Sequence, residues 1–125
     1  MCGRYTLNID RGELTSLFSL KENVNESSLY PRFNIAPSQK ILAVTNTNGT
    51  NASSYFTWGL LPRWASNGHQ PHLIINARAE TAPSKITFSN AFRNRRCVIP
   101  ATGYFEWFKT QRGKRQPILI YTEGE

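Results

Sequence analysis

Gly103-Tyr104-Phe105-Glu106-Trp107-Phe108-Lys109 runs through Thr110-Gln111-Arg112-Gly113-Lys114-Arg115-Gln116 into Pro117-Ile118-Leu119-Ile120-Tyr121. The first block is aromatic, as a half-buried strand is. The second is basic and polar, with a glycine suited to a turn. The third returns as an apolar strand. Two strands joined by so short a turn must run antiparallel. The same reading extends upstream. Cys97 to Pro100 predicts a strand, and Phe88 to Arg95 a helix with Ser89 or Asn90 near its start. Leu73 to Asn76 predicts a buried strand leading into Ala77-Arg78-Ala79-Glu80. A long loop runs from Leu61 through Gly68 and Pro71. Ile41 to Thr45 and Tyr55 to Leu60 predict a second hairpin, with Asn48-Gly49 as its turn signal.

Nearer the start, Tyr30 to Pro37 is extended, because both prolines bias the preceding residue away from helix. Lys21 to Leu29 is a polar loop. Asp10-Arg11-Gly12-Glu13 reads as a capping box, followed by Leu14, Leu17 and Phe18 at helical spacing. A helix over 11–20 follows. Strands dominate and most are joined by hairpins. The expected class is α+β, mainly antiparallel, an open-barrel-like sheet with peripheral short helices.

The chain has 125 residues, which suits one domain over 1–125, and 39% of them are hydrophobic, enough to bury a core. Its 15 Lys+Arg against 8 Asp+Glu give a net charge of +7. A small basic domain commonly meets a polyanion, and nucleic acid is the commonest. No apolar run reaches the ~18 residues of a membrane helix, and no secretory signal is visible. A cytoplasmic place is expected, associated with the nucleoid in a bacterium. Cys2 and Cys97 could pair, but a cytosolic chain keeps its thiols reduced. His69 and His72 lie close together in a loop with no further ligands of the right kind, so no metal and no cofactor is expected.

Met1-Cys2-Gly3-Arg4-Tyr5 places a cysteine directly after the initiator. Once Met1 is removed, Cys2 carries both an α-amine and a thiol. The amine, with a pKa of about 7.7–8.0, is partly neutral at cellular pH. The thiol, near 8.5, is a competent second nucleophile. Such a pair condenses with an aldehyde to an imine and then a thiazolidine. By position alone, a frayed terminus is the plainer reading.

Three internal segments accompany this N-terminus. They are Ile75-Asn76-Ala77-Arg78-Ala79-Glu80, Cys97 through Trp107, and Phe56-Thr57-Trp58-Gly59-Leu60-Leu61-Pro62-Arg63-Trp64, the last preceded by Phe33-Asn34-Ile35-Ala36-Pro37. Together they closely resemble the SRAP family, the SOS response-associated peptidases that process abasic sites in DNA. The resemblance covers essentially the whole chain.

That resemblance implies binding of single-stranded DNA and a covalent thiazolidine cross-link from Cys2 to the ring-opened abasic aldehyde, after Met1 is lost. It makes Cys2, Asn76 and Glu106 the catalytic residues. Glu106, set among aromatic neighbours, would supply the proton that expels water from the carbinolamine. Its alternative is an outward-facing strand carboxylate. Asn76 would orient the deoxyribose oxygens or the amine; its alternative is a strand-end cap. Arg4 and Arg78 would hold phosphates, Arg78 from the same strand face as Asn76 or else in an ion pair with Glu80. Trp64 would stack on a base, or pack in the core. Asn34 would position polar groups and Pro37 would shape the border of the site. For Trp58, inside a strand, core packing is the expectation. Arg93, Arg95 and Arg96 either extend the DNA footprint or form a solvated helix end.

Members of the family carry a His-x-Arg-Met-Pro motif in a second half that this sequence lacks. The domain is therefore expected to be incomplete at its C-terminus, as a fragment or a truncated gene. Dimerisation or strand exchange is the expected cover for the missing C-terminal half. Two other functions compete: a thiol autopeptidase using Cys2, and a non-catalytic DNA-binding fragment.

Overall fold

The computed structural model describes residues 3–21, 30–62 and 73–122. Most of the two expected polar loops, over 22–29 and 63–72, lies outside them. The described residues form two antiparallel sheets and two short helices. In chain order these are β1 (Tyr5–Leu7), α1 (Arg11–Phe18), β2 (Arg32–Ile35), β3 (Lys40–Thr47), β4 (Thr50–Thr57), α2 (Ile86–Asn94), β5 (Gly103–Lys109) and β6 (Arg115–Ile120). One sheet has the order β2-β1-β5-β6, and the other pairs β3 with β4. The expected α+β class with mainly antiparallel strands is what is found. Among the described residues the sheets do not close into a barrel. No described helix is long and apolar enough to cross a membrane.

The aromatic hairpin is present, with Tyr104 opposite Ile120 and Lys109 opposite Arg115. Its second strand starts at Arg115 rather than Pro117. The turn is tighter than composition suggested. Gly113 N donates to Thr110 O at 2.9 Å, and Thr110 N to Lys114 O at 2.9 Å. Gly113 stands at φ 74°, where a side chain would strain.

The β3–β4 hairpin is longer than its apolar residues implied, with Lys40 opposite Thr57 and Thr47 opposite Thr50. Polar residues 46–53 extend the ladder, because the turn needs only Asn48 and Gly49. Both have positive φ, 51° and 77°, as the two-residue hairpin turn requires. Asn46 Oδ1 accepts from Gly49 N at 3.1 Å and closes the turn.

Two expected strands shrink to single bridges. Leu73–Asn76 contributes only the Leu60–Ile74 bridge, and Cys97–Pro100 only Val44–Val98. Helix α2 begins at Ile86, not near Ser89 or Asn90, and Lys85 at its start makes no side-chain cap. Helix α1 stops at Phe18 because Ser19 turns left-handed, at φ 48°. Of the expected capping box, the Asp10 cap is present: Asp10 Oδ1 accepts from Glu13 N at 2.9 Å.

Strand β1 has no sequence signal, yet it is central to the larger sheet. It is three residues long and pairs on both edges, with Tyr5 opposite both Ile35 and Tyr104. The core gathers Tyr5, Leu7, Leu14, Leu20, Ile35, Ile41, Leu42 and Val44. Leu14 and Ile35 are the largest side chains buried almost completely. Each such burial contributes about 1.5–3 kcal/mol. Leu17, expected with them, faces solvent. Asn51 Nδ2 donates to Phe18 O at 2.7 Å and ties the end of α1 to β4.

Candidate active site

Side chains alternate across a strand, so β1 and β5 sort their residues onto two faces. Tyr5, Tyr104 and Glu106 share the face turned to the core. Arg4, Phe105 and Trp107 share the outer face. The backbone fixes this as far as Arg4, since Phe105 N donates to Arg4 O at 2.9 Å. Thr6 sits at the same junction: its Oγ1 lies 3.2 Å from Thr102 Oγ1 and donates to Gly103 O at 3.3 Å. Gly103 is glycine here for want of space, as a Cβ would lie 3.0 Å from Ile120 O and 3.2 Å from Thr6 Oγ1.

On the outer face, Arg4 Nη1 donates to Asn34 Oδ1 at 2.7 Å. Two of the expected DNA-binding residues thus meet directly, one just ahead of β1 and one in β2, although 30 residues separate them in sequence. They border a depression of about 380 Å³ that Phe33, Phe105, Trp107 and Pro117 complete. A guanidinium oriented by an amide oxygen, beside exposed rings, suits an anion attached to a planar group.

Pro37 is the second residue of a tight turn closed by Gln39 N donating to Ala36 O at 3.3 Å. Ser38 follows at φ 69°, the geometry of a type II turn, which favours proline where Pro37 stands. Gln39 organises this corner. Its Oε1 accepts from Arg32 Nη2 at 2.6 Å and from Ala36 N at 3.2 Å. A lone glutamine two residues after a proline carries no signal in the sequence that could have revealed this.

Asn76 is half-buried and borders a cavity of about 320 Å³ with Phe88, Phe92 and Arg96. No strand continues through it, so Asn76 and Arg78 do not share a strand face as expected. Residues 75–78 are irregular and a turn follows. Arg78 is exposed, and its carbonyl accepts from Ala82 N at 2.9 Å. Glu106 is half-buried on β5 opposite Ile118. Cys2 and Trp64 lie outside the described residues, as do His69 and His72.

Trp58 packs against the core as expected, although β4 ends at Thr57, short of the expected Leu60, and leaves Trp58 just beyond the strand. Its ring meets Tyr5 edge-on, with centroids 5.4 Å apart. Its Nε1 donates to Ile75 O at 3.4 Å. Beside it lies an apolar opening of about 560 Å³, bordered by Tyr5, Ile41, Phe56, Trp58, Ile99 and Tyr104. Cys97 is a free, exposed thiol. Of the arginines near α2, Arg96 stacks over Phe92, 4.7 Å from the ring centre.

Comparison with known proteins bears on this geometry. The family model described as SOS response associated peptidase (SRAP) matches residues 1–125. The chain is 35% identical over 120 residues to abasic site processing protein YoqW of Bacillus subtilis, spanning 96% of this chain and 54% of that protein. It is 32% identical over 126 residues to abasic site processing protein YedK of Escherichia coli, spanning 97% and 54%. A crystal structure of a protein from Bacteroides thetaiotaomicron shares the fold, with a TM-score of 0.78 at 24% identity over 99% of this chain and 56% of that one. A phage-related protein from Bordetella bronchiseptica also shares it, with a TM-score of 0.74 at 22% identity over 96% and 55%. The chain spans about half the length of the curated relatives it matches.

Proposed function

The chain belongs to the SOS response associated peptidase (SRAP) family, and from that premise we propose that it processes abasic sites in single-stranded DNA by forming a covalent cross-link through Cys2. The observation that carries this reading is the fixing of Arg4, two residues from Cys2 in the chain. Arg4 is held by β5 through its carbonyl and by Asn34 through its guanidinium. The names of its relatives, abasic site processing proteins, support the same substrate.

The chemistry balances in atoms and electrons. The Cys2 α-amine, freed by loss of Met1, adds to the aldehyde carbon of the ring-opened deoxyribose. The carbinolamine expels water once its hydroxyl is protonated, and Glu106 is assigned that proton transfer. The Cys2 thiol then adds to the imine carbon, and its proton passes to the nitrogen. One C–N and one C–S bond form, and one water leaves. Asn76 orients the sugar oxygens or the amine, while Arg4 and Arg78 neutralise neighbouring phosphates. Asn34 holds the Arg4 fork, Pro37 sets the wall beside it, and Trp64 stacks on a base next to the lesion.

Mixing the protein with single-stranded DNA bearing one abasic site tests this, by denaturing gel and intact mass. The expected result is a shifted band whose mass equals protein without Met1 plus DNA minus one water. Cys2→Ala and undamaged DNA should each abolish it. No shift from protein lacking Met1 would overturn the cross-linking reading. Cleavage of an unrelated peptide would point to a thiol peptidase instead.

A further inference from the structure

The tip of the β5–β6 hairpin holds Lys109, Arg112, Lys114 and Arg115 within seven residues, and no acidic residue occurs between Trp107 and Thr122. Lys109 and Arg115 face each other directly across the ladder. Like charges in that position oppose pairing. The turn beyond them is nevertheless fixed: Thr110 Oγ1 donates to Lys114 O at 3.0 Å, besides the two backbone bonds already described. A hollow of about 660 Å³ opens here, bordered by Phe108, Gln111, Arg112, Lys114, Arg115 and Pro117. Phe108 is 62% exposed.

This feature joins the Arg4 site. Pro117 borders both the hairpin hollow and the Arg4–Asn34 depression. Phe105, Trp107 and Lys109 alternate onto the outer face that carries Arg4, and Pro117 and Arg115 stand opposite Trp107 and Lys109. At a rise of about 3.3 Å per residue, Phe105 to Lys109 spans roughly 13 Å. Positive charge therefore stands at both ends of this face, Arg4 at one and the Lys109–Arg115 pair with its fixed cationic turn at the other, with the Phe105 and Trp107 rings between them. Cations so spaced fit two points along a phosphate backbone, whose charges would relieve the Lys109–Arg115 repulsion. The Phe105 and Trp107 rings between these cations fit unpaired bases better than a duplex, where bases are already stacked, whereas Phe108 stands on the opposite strand face.

We propose that the hairpin tip is a second DNA-binding surface, gripping a single strand where it leaves the site around Arg4. This rests on the reading that the protein acts on single-stranded DNA, and it assigns residues 109–115 to the flank of the lesion. The test uses undamaged oligothymidylate, of about 4 and about 16 nucleotides, the range of single-strand site sizes. Binding is followed by fluorescence anisotropy across a salt series.

For the longer strand, Arg112→Gln with Lys114→Gln should lower the salt slope by about 0.7 for each phosphate no longer neutralised. The pair Arg112→Lys and Lys114→Arg, which keeps charge, should preserve the slope. Phe108→Ala, on the opposite strand face, should leave both long-strand binding and the slope unchanged. The short strand should respond to none of these. Equal slopes for the charge-removing variant and the unaltered protein would overturn the proposal, as would equal weakening on short and long strands. No single-strand binding at all would also overturn it. Hairpin-dependent binding without any cross-link to abasic DNA would leave this proposal standing and remove only the covalent one.

Discussion

Arg4 Nη1 and Asn34 Oδ1 lie 2.7 Å apart, joining the residue that leads into central strand β1 to edge strand β2. The bond is solvent-exposed, so its worth lies in orientation more than stability. An exposed hydrogen bond to a charged group contributes about 1 kcal/mol. Asn34→Leu should therefore lower the melting temperature by no more than a few degrees. Cross-linking at limiting DNA should slow roughly 2- to 10-fold, with little change at saturating DNA. Single-turnover rates over a DNA titration check this.

Gly59 stands at φ 138°, and a Cβ there would lie 2.7 Å from Leu73 Cβ. The neighbouring bond from Leu60 N to Ile74 O, at 2.8 Å, leaves the segment little room to retreat. Gly59→Ala should destabilise by about 1–3 kcal/mol. A urea titration should show a lower midpoint with an unchanged slope.

Burial pushes the Tyr55 hydroxyl above its ordinary pKa, with Arg32 opposing and Tyr30 adding to the rise. The folded state then holds this proton more tightly than the unfolded chain, whose tyrosine titrates near about 10. The associated stability is intact below about pH 10 and is lost as pH climbs through the folded value. Tyr55→Phe should flatten that part of the stability curve. Denaturant midpoints measured from neutral pH into the alkaline range decide the matter.

Asp10 accepts from Glu13 N at 2.9 Å at the start of α1. Asp10→Ala should cost about 1 kcal/mol, and Asp10→Asn should recover most of it. Thermal melts of the three proteins test the cap.

The hairpins are legible in the sequence because their signals are local. Asn48-Gly49 can adopt the positive φ angles their turn needs, and an aromatic run followed by Gly113 and an apolar run allows little else. Strand β1 is not legible, since three residues, Tyr5 to Leu7, show no period. Its pairing is set by partners about 30 and 100 residues away. Val98 and Ile74 lie in apolar stretches that read as strands, but each forms only one bridge, a matter of tertiary placement. At the site, Asn34 is legible through its motif, whereas its bond to Arg4 requires the sheet order. The hairpin cations are visible as a basic turn, but their alignment with Arg4 depends on register.

Val44 and Val98 exchange two backbone bonds, Val44 N to Val98 O at 2.8 Å and Val98 N to Val44 O at 2.9 Å. This bridge ties β3 to the segment that enters β5, and so couples the two sheets through the backbone. If opening of either sheet must break it, their amides will share one exchange regime. Deuterium uptake at Val44 and Val98 should then keep pace with the slowest amides of both sheets. A Val98→Pro change, which removes one of the two donors, should split that single slow phase into two.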